Sequence, residues 1–135
     1  MQEIVKESFE LAKKARENSY SVYSKFAVGA TIKVKGVDKL FTGCNVENSS
    51  FGGTICAERT ALVKLVSELG GKPELEFVTV IADTESPTPP CGLCLQQLSD
   101  FVVDDTKVYL SNLDGIQKEI FFKEAMPFMF QFAHD

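Results

Sequence analysis

The chain has 135 residues, of which 44% are hydrophobic and 24% are charged, a composition typical of one folded domain of ordinary size. Its formal net charge of -5 argues against a protein that holds nucleic acid by neutralising phosphates, because such domains usually carry a basic surface. The first residues contain no long apolar run, and no stretch supplies the ~20 consecutive apolar residues of a membrane helix. We therefore expect a cytoplasmic protein, without a secretory signal, that acts on a small neutral substrate or binds a protein partner.

The first half of the chain predicts a helix, a hairpin and a second helix. Apolar residues recur at helical spacing over residues of about 2 to 17, with charged residues between them. The segments KFAVGATIKV and KLFTGCNVE, separated by a turn centred on Lys35 to Lys39, have the extended pattern of an antiparallel hairpin. After the loop NSSFGG, a second helix is predicted from about Cys56 to Leu69, and Gly70 and Gly71 would end it as a left-handed cap.

The second half alternates strand and helix. EFVTVIAD is typical of a buried strand, ESPTPP of a loop, Cys91 to Phe101 of a third helix and TKVYLSN of a further strand. This alternation predicts an α/β sandwich whose sheet is partly parallel, with the antiparallel hairpin at one side. The tail FFKEAMPFMFQF holds five of the eleven phenylalanines, and it either folds back onto the core or forms a subunit contact.

The residue types restrict the chemistry that the chain can perform. Its single histidine, His134, is the next-to-last residue, where chains tend to fray, so histidine triads and histidine-rich metal sites are excluded. Acid-base chemistry must come from carboxylates, thiols or metal-bound water. In a reducing compartment, four cysteines at positions 44, 56, 91 and 94 are more often metal-binding or catalytic than disulfide-bonded.

Three of these cysteines are placed to converge. Cys91 and Cys94 lie three residues apart at the start of a predicted helix, where amide N–H groups and the helix dipole favour the thiolate that binds metal. Cys56 begins another predicted helix, and each helix follows a strand. Three thiolates leave one position of a tetrahedral zinc ion open, which is the mark of a catalytic site. Glu58 could take a proton from a water at that position without binding the metal.

Other interpretations of the same residues stay open at this point. The Cys91 and Cys94 pair could be a thioredoxin-like redox site, and Cys44 could be a fourth ligand that closes a structural zinc site. Glu58 could be an ordinary first-turn acid that complements the helix dipole. Phe26 could be a plain core residue of its strand.

The motif C-A-E followed downstream by P-C-x-x-C resembles the zinc deaminase signature. The blocks YSVYSKFAVGA, TGCNVENSSFGGTICAERTAL, PCGLC with QQL, and MPFMF are similar to those of the small, homotetrameric cytidine deaminases across nearly the whole chain. The resemblance implies a single cytidine deaminase-like domain over residues 1–135, folded as a three-layer α/β/α sandwich with a mixed sheet. It also implies one zinc ion per subunit, and hydrolysis of cytidine and deoxycytidine to uridine and deoxyuridine plus ammonia, in pyrimidine salvage.

The resemblance assigns roles to individual residues by position. It makes Glu58 the proton shuttle, which carries protons to N3 and to the departing amino group of cytosine. The zinc ligands that it implies are Cys56, Cys91 and Cys94. The substrate contacts that it implies are Phe26 against the pyrimidine ring, Asn45 and Glu47 on the ribose hydroxyls, the backbone of Ala57 on the base, and Phe51 and Phe130 from across a subunit interface.

Two positions depart from the family pattern. Pro89 replaces a serine, but the family contact there comes from a backbone carbonyl, which proline keeps. Leu95 replaces an arginine, so Arg59, which matches the family arginine that bonds the ligand sulfurs, stands alone in offsetting the charge of three thiolates. We therefore expect Arg59→Ala to lower zinc retention or turnover.

Three alternative functions follow from the same features. A modified cytosine nucleoside such as blasticidin S is a possible substrate, although Asn45 and Glu47 favour ordinary ribosides. Polynucleotide substrates are disfavoured because the chain is acidic. A zinc-stabilised binding module that has lost catalysis is the alternative from another class.

Overall fold

The chain folds into a five-stranded sheet with helices on both faces. The computed structural model describes residues 1–132, so His134 lies outside the described residues. In chain order, the elements are α1 (Glu3–Arg16), β1 (Val28–Val34), β2 (Leu40–Cys44), a short 3-10 turn (Phe51–Gly53), α2 (Ala57–Leu69), β3 (Leu75–Ala82), α3 (Gly92–Ser99), β4 (Val102–Asn112), β5 (Gly115–Phe121) and α4 (Phe122–Ala125).

The sheet is mixed, with strand order β2-β1-β3-β4-β5. β1 pairs antiparallel with β2 and with β3, and β4 pairs antiparallel with β5. β3 and β4 pair in parallel, and α3 belongs to the connection between them. The predicted hairpin at one side of a partly parallel sheet is therefore confirmed.

Alternating residues of the strands supply two cores. On one face α1 packs its apolar side, including Val5, against Phe77 and Tyr109. On the other face the even-numbered residues of β1, β3 and β4 meet α2 and α3; this larger core includes Ile32, Val34, Leu62, Leu65, Val78, Val80, Leu98, Val108 and Leu110. These two helical layers, with the sheet between them, confirm the three-layer α/β/α sandwich.

The helices and inner strands agree with the sequence prediction to within a few residues. Gly70, predicted as a helix cap, has a φ of 67° and donates its N–H to the carbonyl oxygen of Val66 at 2.9 Å. β5 and α4 were not predicted. β5 carries three consecutive exposed polar residues at 117–119, so it lacks the alternation that marks a strand, and its pairing with β4 establishes it.

A glycine brings α2 unusually close to the sheet. A Cβ atom at Gly43 would lie 2.5 Å from the carbonyl oxygen of Ala57 and 2.6 Å from the backbone nitrogen of Ala61. Both are backbone atoms of α2, so the N-terminal half of the helix rests directly on β2. This contact fixes the end of α2 that carries Cys56 and Glu58 beside the end of β2 that leads to Asn45.

Within residues 1–132, no helix has both the length and the apolar character needed to cross a membrane.

Candidate active site

Three thiols meet where α2 and α3 begin. Cys56 and Cys91 are the N-cap residues of α2 and α3, and Cys94 lies in the first turn of α3. The Cys91 sulfur lies 4.0 Å from that of Cys56 and 3.5 Å from that of Cys94, and all three sulfurs lie within 4.8 Å of one another. The predicted convergence is therefore present.

The thiol cluster fits a zinc ion. Three sulfurs at Zn–S bonds of about 2.3 Å in tetrahedral geometry would be separated by roughly 3.8 Å. Two of the three sulfur–sulfur separations, 4.0 and 3.5 Å, bracket that value, and the third does not exceed 4.8 Å. Cys94 is fully buried, whereas Cys56 and Cys91 line a cavity, so a zinc ion held by the three thiolates would be reached by substrate from that cavity.

The surroundings favour ionisation of Cys56. A hydrogen bond from Cys94 is the main cause that lowers the pKa of the Cys56 thiol to about 6, with smaller contributions from Cys91 and the positive charge of Arg59. Burial acts in the opposite direction. The pKa of Cys94 is raised, because its proton is held in the hydrogen bond to Cys56. The cluster thus readily supplies the thiolate form that metals bind.

The fourth cysteine lies elsewhere. Cys44 lines a separate cavity with Leu11, Lys14 and Thr60, between α1 and α2. Within the described part of the chain, the candidate metal cluster contains three cysteines and excludes Cys44. All four thiols are free, so no disulfide links Cys91 to Cys94. A closed four-cysteine zinc site is therefore not what the geometry supports.

Glu58 is a buried carboxyl beside the thiol cluster. It is only 4% exposed and lines the same cavity as Cys56 and Cys91, yet it does not belong to the metal cluster. Burial is the main cause that raises the pKa of Glu58 to about 7; the charge of Cys56 adds to the rise, and a hydrogen bond from its own backbone N–H opposes it. A carboxyl with a pKa near neutrality can both accept and release a proton, as an acid-base catalyst must.

The cavity has a volume of about 270 Å³ and brings together most of the predicted substrate contacts. Its lining includes Phe26, Asn45, Glu47, Phe51 and Ala57, in addition to Cys56, Glu58 and Cys91. Phe26 is 40% exposed, so it is not a plain core residue. The metal cluster and the two polar residues predicted to hold the sugar therefore share one cavity.

Asn45 and Glu47 are buried and tied to the segment before β1. Asn45 donates its amide to the carbonyl oxygen of Phe26 at 2.7 Å and accepts the N–H of Val28 at 2.9 Å. Glu47 accepts backbone N–H groups from Tyr23 and Ser24, both at 3.0 Å. The hydrogen bond from the Ser24 hydroxyl is the main cause that lowers the pKa of Glu47, so the carboxyl is ionised at neutral pH.

Part of the tail folds back onto the core, as one of the two interpretations predicts, and the subunit contact stays a prediction. Met126 and Met129 pack against the main core, whereas Phe128 and Phe130 are 96% and 63% exposed. Gln96 of α3 donates its side-chain amide to the carbonyl oxygen of Phe130 at 3.0 Å. Phe130 is not part of the cavity lining of its own chain, in contrast to Phe51.

Arg59 supplies a positive charge that acts on the thiol cluster. Its Nε atom is buried and has no hydrogen-bond partner among residues 1–132, while its charge helps to lower the pKa of Cys56. Leu95 is 9% exposed and belongs to the main core, so it contributes apolar packing and no charge.

Sequence reasoning missed several residues of the cavity. Ser24, Val28, Thr54, Val80 and Thr88 also line it. The Thr54 hydroxyl is buried without a hydrogen-bond partner in the described chain. Ser24 stands inside the YSVYSKFAVGA block, which was the one signal that could have pointed to it.

Zinc-dependent deaminases are defined as a class by a C-x-E segment and a P-C-x-x-C segment that share one metal cluster. The glutamate of the C-x-E segment does not bind the metal. Residues 2–110 match the family model described as "Cytidine and deoxycytidylate deaminase zinc-binding region". The chain belongs to this cytidine and deoxycytidylate deaminase family.

Relatives and solved structures agree with this membership. The cytidine deaminase of Halalkalibacterium halodurans is 44% identical over 126 residues, which cover 93% of this chain and 90% of the relative. That of Sporosarcina psychrophila is 43% identical over 116 residues, 86% of this chain and 83% of the relative. The crystal structure of cytidine deaminase from Burkholderia pseudomallei, 36% identical, superposes with a TM-score of 0.85 and covers 96% of this chain and 100% of that chain.

Proposed function

We propose that this protein is a zinc-dependent enzyme that hydrolyses cytidine and deoxycytidine to uridine and deoxyuridine, with release of ammonia. One observation carries the proposal: a three-thiol cluster, a buried carboxyl beside it and a polar pair in the same cavity. The relatives described above are named cytidine deaminases, which supports a cytosine nucleoside as the substrate.

The zinc ligands in this proposal are Cys56, Cys91 and Cys94, and the shuttle is Glu58. When bound, the zinc ion lowers the pKa of a water molecule so that it can act as a nucleophile near neutral pH. Glu58 takes the proton of that water and delivers it to N3 of cytosine, which makes C4 a better electrophile. The water oxygen adds to C4, and Glu58 takes the remaining proton from that oxygen and passes it to the exocyclic amino group. The C4–N bond then breaks, so that ammonia leaves rather than an amide ion and C4 becomes the carbonyl carbon of uridine.

The remaining cavity residues position the nucleoside. Phe26 packs against the pyrimidine ring, and the backbone of Ala57 contacts the base. Asn45 and Glu47 bind the ribose hydroxyls, because an amide and an ionised carboxylate together offer a donor and an acceptor. These roles rest on the shared cavity and on the low exposure of both polar residues, at 7% and 4%.

The proposed assembly is a homotetramer of one-domain subunits, residues 1–135, with sites at subunit interfaces. Phe130 would enter the site of a neighbouring subunit, and Phe51 would approach across the same interface; both side chains are exposed, at 63% and 55%. Burying such aromatic surface in a neighbour is a common reason for oligomerisation. We place the enzyme in the cytoplasm and in pyrimidine salvage.

The test is ultraviolet spectroscopy of the purified protein with cytidine, run beside Glu58→Gln, with zinc content measured on both samples. We expect conversion to uridine by the wild type alone and equal zinc in both proteins, because Glu58 is not a ligand. Zinc in both proteins and conversion by neither would refute the proposal. Conversion by Glu58→Gln at the wild-type rate would refute the shuttle role.

A substrate comparison separates the enzyme from a catalytically inactive zinc-binding module. An enzyme should bind a cytidine transition-state analogue with a C4 hydroxyl far more tightly than it binds uridine. Equal affinity for the two compounds would favour the module.

A further inference from the structure

We infer that Ser24 is a positioning residue, which aims the Glu47 carboxylate at the sugar with a hydroxyl that the backbone N–H of Phe26 holds in place. The inference rests on the proposed function, since it concerns the sugar and base contacts of that site. It goes beyond that function by giving a role to a residue that touches two of the proposed substrate contacts at once.

Glu47 is held almost entirely by one short segment. Its Oε1 atom accepts the backbone N–H groups of Tyr23 and Ser24, both at 3.0 Å, and its Oε2 atom accepts the Ser24 hydroxyl. A carboxylate offers about four lone-pair sites, so these three bonds leave one, on Oε2, for a ligand. The bond to Ser24 therefore sets the rotation of the carboxylate and the direction of its remaining acceptor.

The same hydroxyl oxygen of Ser24 accepts the backbone N–H of Phe26 at 3.0 Å. Between them, Lys25 has a φ of 61°, the only left-handed non-glycine residue in the described chain, and its N–H bonds to the carbonyl oxygen of Ser21 at 2.9 Å. Such a conformation is uncommon and persists where the surroundings hold it. The turn places both Ser24 and Phe26 on the cavity wall.

This geometry makes the contribution of Ser24 depend on the sugar. A substrate with 2′- and 3′-hydroxyls can donate a hydrogen bond to the Glu47 oxygen that Ser24 orients. A substrate without these hydroxyls cannot make that bond, so its binding does not depend on the orientation. A lost hydrogen bond to a charged group corresponds to a change of about tenfold to a hundredfold in an equilibrium. A merely structural role for Ser24 would reduce turnover of both substrates equally.

The experiment measures kcat and KM of wild type, Ser24→Ala and Ser24→Thr with cytidine and with 2′,3′-dideoxycytidine, which lacks the 2′- and 3′-hydroxyls. We expect Ser24→Ala to lower kcat/KM by about tenfold to a hundredfold for cytidine and by less than about threefold for dideoxycytidine. Ser24→Thr keeps the hydroxyl and should restore most of the loss. Ser49→Ala, which removes an exposed hydroxyl bonded to the Tyr23 side chain, should leave kcat/KM unchanged for both substrates.

A double variant tests the pathway through Glu47. Ser24→Ala combined with Glu47→Gln should cost cytidine no more than Glu47→Gln alone, because Ser24 acts through that carboxylate. Equal losses on both substrates, or additive losses in the double variant, would overturn the inference while leaving the proposed function intact. No cytidine turnover by the wild type would overturn both. If Ser24→Ala binds less zinc than the wild type, Ser24→Cys, a weak hydrogen-bond donor of similar size, takes its place under the same criteria.

Discussion

Replacing Gly43 by alanine should damage the metal site from a distance. The added Cβ would lie 2.5 Å from the carbonyl oxygen of Ala57 and 2.6 Å from the nitrogen of Ala61, both of them backbone atoms of α2. Real Cβ atoms essentially never come this close, so α2 must move away from β2. Because Cys56 and Glu58 sit at the end of α2 that makes this contact, the shift displaces one metal ligand relative to the two on α3.

The expected size follows from overpacking, which costs about 1–3 kcal/mol in a well-packed interior. For a chain of 135 residues this corresponds to a melting temperature lower by roughly 3–12 °C. We also expect less bound zinc per subunit, measured by elemental analysis after dialysis against a weak chelator. The matched control is Gly52→Ala, since a Cβ at Gly52 meets no atom within 4 Å. If Gly43→Ala melted and retained zinc like Gly52→Ala, the reasoning from close packing would be refuted.

Three further predictions concern charge and metal. Arg59→Ala should weaken zinc affinity by about 10- to 100-fold in a competition titration, which is the usual cost of losing a group that supports metal ligands. Arg59→Lys should lose less affinity because it keeps the positive charge. Equal zinc affinity in the wild type and both variants would contradict the argument that Arg59 offsets the thiolate charge. In zinc-free protein, Glu47 should stabilise the fold at pH values above its ordinary pKa of 4.5, because its pKa is lowered in the folded state. The stability advantage of the wild type over Glu47→Gln should shrink as the pH falls below 4.5. A difference in melting temperature between the two proteins that stays constant across pH would contradict this prediction. Chelation of zinc should lower the melting temperature of the wild type and of Glu58→Gln by the same amount, as measured by thermal scanning, and a smaller shift in Glu58→Gln would mean that Glu58 binds the metal.

Most of the fold and the metal cluster could be predicted from local patterns in the sequence. Helical periodicity located α1 and α2, and unbroken apolar character located β3, because these elements bury one face or both in the cores. β5 was not predicted, because an edge strand with exposed residues at 117–119 shows no such pattern. Cys44 could not be separated from the other thiols by spacing alone, since only the packing of α2 on β2 directs it to a different cavity.

The polar contacts of the site were harder to predict than its metal ligands. Asn45 and Glu47 were assigned by their position in a motif, but their bonds to Phe26 and Ser24 depend on the path of a loop with a left-handed residue. No periodicity describes such a loop. The orphaned hydroxyl of Thr54 is visible only once the neighbouring atoms are in place.

The metal cluster also makes enzymatic competence depend on the completeness of the sheet. Cys56 precedes β3 in the chain and Cys91 follows it, and β3 is the central strand, paired with β1 on one edge and β4 on the other. The three sulfurs can meet only after this strand has been inserted and the helices on either side of it have docked. We therefore expect tight zinc binding to require the completed sheet, so that bound metal marks a chain whose central strands are in place.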